Sequence, residues 1–499
     1  MPVDSQHDRY AAMASKWERA RAANDGEDTV KEGGQKYLKK LPGMEAGTDD
    51  YNIFLDGAVW FPASGRTTDG LVGAAMRKDP SFDLGPLPES FEDDADLAYT
   101  PLVQMARDVL EEMVVVGFVG LLSEWSEEEN RAFLVRYKAE DIVNWMISRI
   151  GGRMVTAMVV LREVTRQMDA DGFRVVRKEQ YRVLRLVDSE LDEDVYGVPE
   201  GDPIVRVDVY QREEDEKGKQ TSDWAVVETH FPKTRTGNYT AIPFVAATPN
   251  GLGFDLINPP IYNVVGLNFH HYTQYADYKN ALKFCGFPIG YGAGVPPKQA
   301  QIDMNGNPAE DKDMDIVLGS PRFYLFENAD AKLAFAQVSD SGFKPMRDEL
   351  EDLRTQMAVA GARLLEEQKR AAETEGAVRL RQSGDSSVLK DLVMVTSRAI
   401  EMSLRFCGMY TTEDVSNIAF RMNTDFLDSE MSTQEMVSLV QGWQMGGYTY
   451  ETMYYNLEKG ERTIPGRTVD EERAKLLVEA PDMDLGDEEP DLDVIDGNT

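Results

Sequence analysis

Apolar side chains recur along this chain with several different periods, and the changes of period divide it. Leu102, Ala106, Val109, Leu110 and Met113 share one helical face, and Thr100-Pro101 supplies an N-cap and an N1 proline for that helix. An unbroken apolar run, Met113 to Leu122, follows, bounded by Glu111, Glu112 and Glu124. It is too short to cross a bilayer and predicts a buried helix end running into a strand. From about 154 to 248 the period becomes two. Val205, Val207 and Val209 alternate with Arg206 and Asp208, and Tyr181-Arg182-Val183-Leu184 behaves alike, so antiparallel sheet is expected. The acidic runs Asp188 to Asp194 and Glu213 to Glu216 read as solvated turns.

The second half is expected to be helical with one interruption. Pro259-Pro260 opens an aromatic helix, Ile261 to Phe284, closed by Gly286 and Pro288, and a helix this long needs burial on more than one side. Residues 286–340 are rich in Gly and Pro. Their strand candidates, Pro288 to Tyr291, Ile316 to Leu318, Phe323 to Phe326 and Leu333 to Val338, make a small β insertion. A second helix starts near Pro345. Its Met346, Leu350, Leu353 and Met357 follow at spacings of four, three and four, the seam of a helix packed against neighbours in its own chain or another. After Leu365 the chain is strongly polar as far as Asp385, and a third helix is expected from Ser386-Ser387 to about Phe406. Helical pieces follow at 432–446 and 469–479. Residues 8–40 look helical too, but their charge reads as an arm or surface helix pair rather than core. From Pro481 the chain holds eight acidic and no basic residues, a composition that predicts a disordered tail.

A length of 499 residues sets a prior of about three domains. Charge changes the picture more than size does. Asp plus Glu total 88 against 53 Lys plus Arg, a formal charge of −35, which disfavours static binding of nucleic acid or anionic lipid over a broad surface. Cys285 and Cys407 are the two cysteines, far apart, so neither a disulfide scaffold nor a thiolate metal site is indicated, and a reducing cytosol is the natural compartment. Met1 to Arg9 lacks the regions of a signal peptide.

Chemical motifs are missing where an enzyme would need them. Gly218-Lys219-Gln220-Thr221 lacks the first glycine of a phosphate-binding loop, and Gly290-Tyr291-Gly292-Ala293-Gly294 is followed by Pro296-Pro297 where a dinucleotide fold would start a helix. His270 and His271 are helical neighbours and point about 100° apart, which suits core packing better than shared ligation of an ion. No catalytic constellation, cofactor or metal is expected.

Several strings, taken in order, resemble one known family. They are Tyr37-Leu38-Lys39-Lys40-Leu41-Pro42, Arg66-Thr67 with Gly70-Leu71-Val72-Gly73, Arg77-Lys78-Asp79-Pro80, and Tyr137-Lys138-Ala139-Glu140-Asp141-Ile142-Val143-Asn144-Trp145. Leu161-Arg162-Glu163, Gln180-Tyr181-Arg182-Val183-Leu184 and Ile242-Pro243-Phe244 continue the series. Leu267-Asn268-Phe269-His270-His271-Tyr272 with Asp277, Gly361-Ala362-Arg363-Leu364-Leu365, and Thr374-Glu375 with Ser386-Ser387-Val388-Leu389 complete it. Collinear over residues 37–410, they resemble the portal proteins, or head-to-tail connectors, of tailed double-stranded DNA bacteriophages. The acidic balance, the N-terminal segment and the tail depart from that pattern.

The resemblance implies an α+β portal fold, mainly helical, with a β-rich wing, long stem helices and a small β clip, forming a ring of about twelve subunits. Its regions would be an arm (1–48), a wing (49–256), a first stem helix (257–285), a clip (286–340), a second stem helix (341–365), a tunnel loop (366–385), a long helix returning to the wing (386–430), a crown (431–480) and the tail (481–499). Lys369, Arg370, Arg379 and Arg381 would steer DNA from the tunnel loop, although they equally offset Glu366, Glu367, Glu373 and Glu375. Met346, Leu350, Leu353 and Met357 would pack the stem between subunits. The clip strands would pair with those of adjacent subunits, leaving Lys298, Gln299, Gln301, Asp311 and Lys312 as a belt for the motor or adaptor.

Implied partners are the terminase packaging motor, the major capsid and scaffolding proteins, a head-tail adaptor, and DNA passing without sequence specificity. No membrane is implied. The site would be a capsid vertex of the virion, assembled in the bacterial cytoplasm. A different head or connector protein is the competing structural reading, and a terminase-type packaging enzyme the competing catalytic one.

Overall fold

The computed structural model describes residues 2–44, 47–168, 172–173, 175–188, 203–212, 223–286, 289–293, 298–299, 312–313, 330, 332–336, 342–362, 375–424, 426, 433–460, 462–464 and 467–479. The acidic run Asp188 to Asp194 beyond its first residue, the run Glu213 to Glu216, the strand candidates Ile316 to Leu318 and Phe323 to Phe326, and the tail from Pro481 lie outside them. The chain divides into two units, Met1–Thr424 and Asp425–Thr499.

The first unit is α+β. The helix Leu102–Val115 buries the stripe read from the sequence, with Met105 added. It stops at Gly117, whose φ of +72° only glycine adopts without cost, and a Cβ there would meet Pro260 Cδ at 3.2 Å. The chain turns directly into the strand Val119–Ser126, so the apolar run 113–122 is part helix and part strand.

Two antiparallel sheets follow. The smaller orders its strands Gly251–Leu252, Phe244–Thr248, Val119–Ser126 and Arg131–Lys138. The larger is a five-stranded meander of Ile142–Ile150, Arg153–Met168, Val175–Val187, Ile204–Gln211 and Ala225–His230. Its first hairpin turns on Gly151 and Gly152, with φ of +55° and +82°, values that suit the right-handed twist of paired strands. The β region therefore begins at 119, earlier than the expected 154. Strands such as Arg131–Lys138 carry too much charge between their apolar positions for alternation to stand out.

Helix Asp8–Asp25 corrects the reading of residues 1–48 as an arm. Tyr10, Met13, Trp17 and Ala20 follow at spacings of three, four and three, and all are buried, Trp17 completely. Trp17 stacks on Phe118 at 6.0 Å, Phe118 meets Trp145 at 6.0 Å, and Trp145 stacks on Phe254 at 5.1 Å and on His7 at 4.1 Å. Of the charges that suggested an arm, Asp8, Arg9 and Glu18 are exposed, whereas Arg21 turns inward to Glu112. Small residues, Ala22 and Ala23, let the helix approach its neighbours closely.

The helix Glu375–Met409, of 35 residues, is about 52 Å long at 1.5 Å per residue. Its C-terminal half is core. Leu389, Leu392, Val393, Ile400, Leu404 and Cys407 are buried, Ser123 Oγ donates to Ser403 O at 2.8 Å, and Tyr239 Oη donates to Phe406 O at 2.6 Å.

The second unit contains the helices Thr433–Gln444, Tyr450–Lys459 and Val469–Glu479. The middle one is capped by Thr449, which accepts from Thr452 N, and Trp443 meets Tyr450 at 5.7 Å. This helix is additional to those read from the sequence, because its tyrosines blur the apolar period.

Candidate functional site

Four of the strings singled out above, those of Tyr37, Thr67, Phe269 and Gly361, meet at the root of a helical hairpin. Its first arm is Tyr262–Gly286, 25 residues or about 37 Å. Asn268 anchors it. Asn268 Oδ1 accepts from Ser64 N at 3.1 Å and from Ser64 Oγ at 3.0 Å, and its Nδ2 donates to Phe61 O at 2.7 Å, all in a buried setting. Phe269 stacks on Tyr37 at 4.8 Å and meets Trp60 at 5.0 Å, while Tyr272 meets Trp60 at 5.6 Å. His271 is buried between Phe61 and Tyr275, with ring separations of 5.6 and 6.0 Å, which makes it a packing residue. Burial is the main reason its pKa falls to about 4, with Arg354 adding to the effect.

The second arm, Phe343–Met357, runs antiparallel to the first. Tyr278 meets Phe343 at 6.2 Å near one end, and Met357 packs with Val264, Leu267, Phe61 and Ala63 near the other. Leu350, Leu353 and Met357 are buried within the one chain and Met346 partly so. The neighbouring aromatic helix thus takes up much of the seam, the own-chain alternative of the two that its spacing allows. A π-helical turn, Ala358–Ala362, ends the arm with Gly361 so close to the first arm and to the helix Ala63–Ala75 that a Cβ would lie 2.8 Å from Val264 Cγ2 and 2.9 Å from Thr67 Cγ2.

At the far end of the hairpin, Ile289–Ala293 pairs antiparallel with Lys332–Ala336, from Ile289 opposite Ala336 to Ala293 opposite Lys332. A second pair sets Lys298 opposite Asp313 and Gln299 opposite Lys312. One edge of Lys332–Ala336 is thus occupied by Ile289–Ala293 of the same chain, and the expected pairing with a strand of another subunit concerns the other edge. Gln301 and Asp311 lie outside the described residues. So do Lys369 and Arg370. Arg379 and Arg381 fall within the helix Glu375–Met409, so the stretch 366–385 is helical from Glu375 rather than loop throughout. Glu, Arg, Gln and Ala are good helix formers whatever their charge density. Hence this helix starts eleven residues before the expected Ser386.

A buried ionic network joins the two sheets. Arg182 donates through Nε to Glu163 at 2.7 Å and through Nη1 to Glu124; Gln180 Nε2 donates to Glu163 Oε2 at 2.6 Å, and Tyr137 Oη donates to Glu163 Oε1. Its Glu124 and Arg182 line a cleft of 740 Å³, with His230 and Tyr410 also on the wall. Burial raises the Glu124 carboxyl against the pull of Arg182. Burial also opposes ionisation of Glu163, but Arg182 and the hydrogen bonds outweigh it and hold that group below the usual range. Arg182, Glu124 and Glu163 are paired with one another, so the network braces the sheets. The sequence could not signal it: Glu163, Gln180 and Arg182 occupy ordinary polar positions of a period-two strand. Among the described residues, no group of three or more His, Cys, Asp or Glu could hold a metal ion, and no helix is long and apolar enough to cross a membrane.

One protein-family model matches the chain, described as a Domain of unknown function (DUF4055), over residues 260–411. That span takes in the helical hairpin, its strand-paired end and the helix Glu375–Met409. No curated protein matches. Among solved structures, a chain in the neck of an empty GTA particle computed with C6 symmetry is 10% identical, with a TM-score of 0.38, covering 85% of this chain and 94% of that one. A chain in the virion of a native gene transfer agent particle is 9% identical, with a TM-score of 0.33, covering 84% of this chain and 94% of that one.

Proposed function

We propose that this chain is the portal subunit of a tailed double-stranded DNA bacteriophage, about twelve copies forming a ring at one capsid vertex. The observation that carries the reading is the meeting of four portal-like strings at one hairpin root. Tyr37 stacks on Phe269 and Thr67 faces Gly361, although these residues stand far apart in sequence. Around that root stand two antiparallel helices, a strand-paired insertion at their far end, and a long helix leading into the core, the order a channel-forming subunit needs.

In this reading DNA passes along the axis during packaging and ejection. Duplex DNA carries one charge per about 1.7 Å, so a wall built from chains of net charge −35 repels it and gives passage without grip. Residues 286–340 would meet the packaging motor and later a tail adaptor, and the body would meet capsid and scaffolding proteins. The chain would contribute no catalytic step, and ATP turnover by the pure protein would overturn that part.

Native mass spectrometry of the purified chain tests the whole. A large cyclic oligomer is expected, and a monodisperse monomer at micromolar concentration in every buffer overturns the proposal.

A further inference from the structure

The larger sheet sends out an arm that one chain leaves uncovered. Pairing between Ile142–Ile150 and Arg153–Met168 stops at Leu161, and pairing between Val175–Val187 and Ile204–Gln211 begins at Tyr181. Beyond those limits, residues 162–168 and 175–180 form a ribbon of two strands only. One face of it carries the pairs Val164 and Glu179, Arg166 and Arg177, Met168 and Val175. Val164, Met168 and Val175 are 57%, 71% and 56% exposed. Arg166 and Arg177 are exposed as well, and neither has an ion-pair partner among the described residues. Like charges set directly opposite destabilise a strand pair, and an isolated two-stranded ribbon is marginal in water. This face is therefore built to be covered, by something apolar and acidic.

The same chain carries such a surface on a different hairpin. Tyr99 is 88% exposed and its N–H donates to Asp94 Oδ1 at 3.0 Å, while exposed carboxylates stand on the neighbouring elements: Glu92 and Asp93 on the short helix Ser90–Asp93, Glu127, Glu128 and Glu129 on the turn after Val119–Ser126. Arg131 Nη1 donates to Asp94 O at 2.7 Å and Leu134 N donates to Ala95 O at 2.8 Å, so loop and turn form one corner. Arm and corner are both open in the single chain; neither fills the other.

We propose that the arm face of one copy docks on the Tyr99 corner of the next, with Arg166 and Arg177 against Tyr99 and the carboxylates of Glu127 to Glu129. This rests on the ring reading and supplies it with a contact. Charge complementarity selects the occupant: with 88 acidic against 53 basic residues, a second copy of this chain offers what two facing arginines need. Arm and corner are different surfaces, so each copy can give one and take the other, and such a head-to-tail contact repeated from copy to copy closes into a ring where the rotation allows it.

The test uses the full chain by sedimentation velocity at low salt. Arg166→Glu with Arg177→Glu should raise the concentration needed for rings at least about tenfold, as should Glu127→Lys with Glu128→Lys and Glu129→Lys, and all five changes together should restore assembly. Independently, Met168→Cys with Tyr99→Cys, in a Cys285→Ser background, should form disulfides between copies. If the reversed chains fail to fold by circular dichroism, the disulfide decides alone. Intact rings in both reversed variants without that disulfide overturn the contact and leave the ring standing. A monomeric wild type removes both.

Discussion

Arg21 and Glu112 meet in a two-pronged pair: Arg21 Nη1 donates to Glu112 Oε2 at 3.1 Å and Nη2 donates to Oε1, with Glu112 only 5% exposed. The same guanidinium reaches Glu140 through Nε at 2.5 Å, and Glu112 Oε1 also accepts from Ala139 N at 3.3 Å. One side chain thus ties the first helix to the central helix and to the start of the larger sheet.

Removing the cation while leaving the buried carboxylate is the damaging change. Arg21→Met should lower stability by about 3–5 kcal/mol, whereas Arg21→Met with Glu112→Leu should recover most of that loss. Urea denaturation measures both. Equal losses in the single and double variants would mean that the pair, and not the orphaned charge, sets the energy.

His271 should make stability fall in mild acid. Its pKa is about 4 in the folded chain against 6.5 ordinarily, so between those values the unfolded chain binds more protons. Stability is full above pH 6.5, declines as pH drops towards 4, and levels off below. A shift of that size is worth about 3 kcal/mol. His271→Phe, a ring of suitable shape between Phe61 and Tyr275, should remove this share of the slope when denaturation midpoints are compared at pH 7 and pH 4.5.

Gly361→Ala tests the root of the hairpin. The added methyl would lie 2.8 Å from Val264 Cγ2 and 2.9 Å from Thr67 Cγ2, and overpacking of this kind costs about 1–3 kcal/mol. Thr67→Ser beside it takes away the obstructing methyl and should restore part of the loss. A thermal melt of Gly361→Ala identical to wild type would show that the two helices separate more freely than their packing suggests.

The helices Leu102–Val115 and Tyr262–Gly286 were legible because their apolar residues run for several turns between proline and glycine punctuation. Helix Asp8–Asp25 was not, since half of its buried face is alanine and its charges dominate the local composition. The seam of Met346, Leu350, Leu353 and Met357 was visible in spacing alone; whose surface it meets is a tertiary fact that no periodicity contains. At the site the difficulty is sharper. The partners of Arg182 come from strands begun at Val119 and Arg153, and a polar residue that will be buried in an ion pair looks, in sequence, like one that faces water.

The five-rung ladder between Ile289–Ala293 and Lys332–Ala336 acts as a clasp. It brings the chain back to its point of departure, so the two helices below need not register how many residues lie beyond it. Lengthening a segment so closed is cheap, about 0.6 kcal/mol for each doubling. Inserting residues between Ala293 and Lys332 is therefore expected to leave the helices and core beneath as they are.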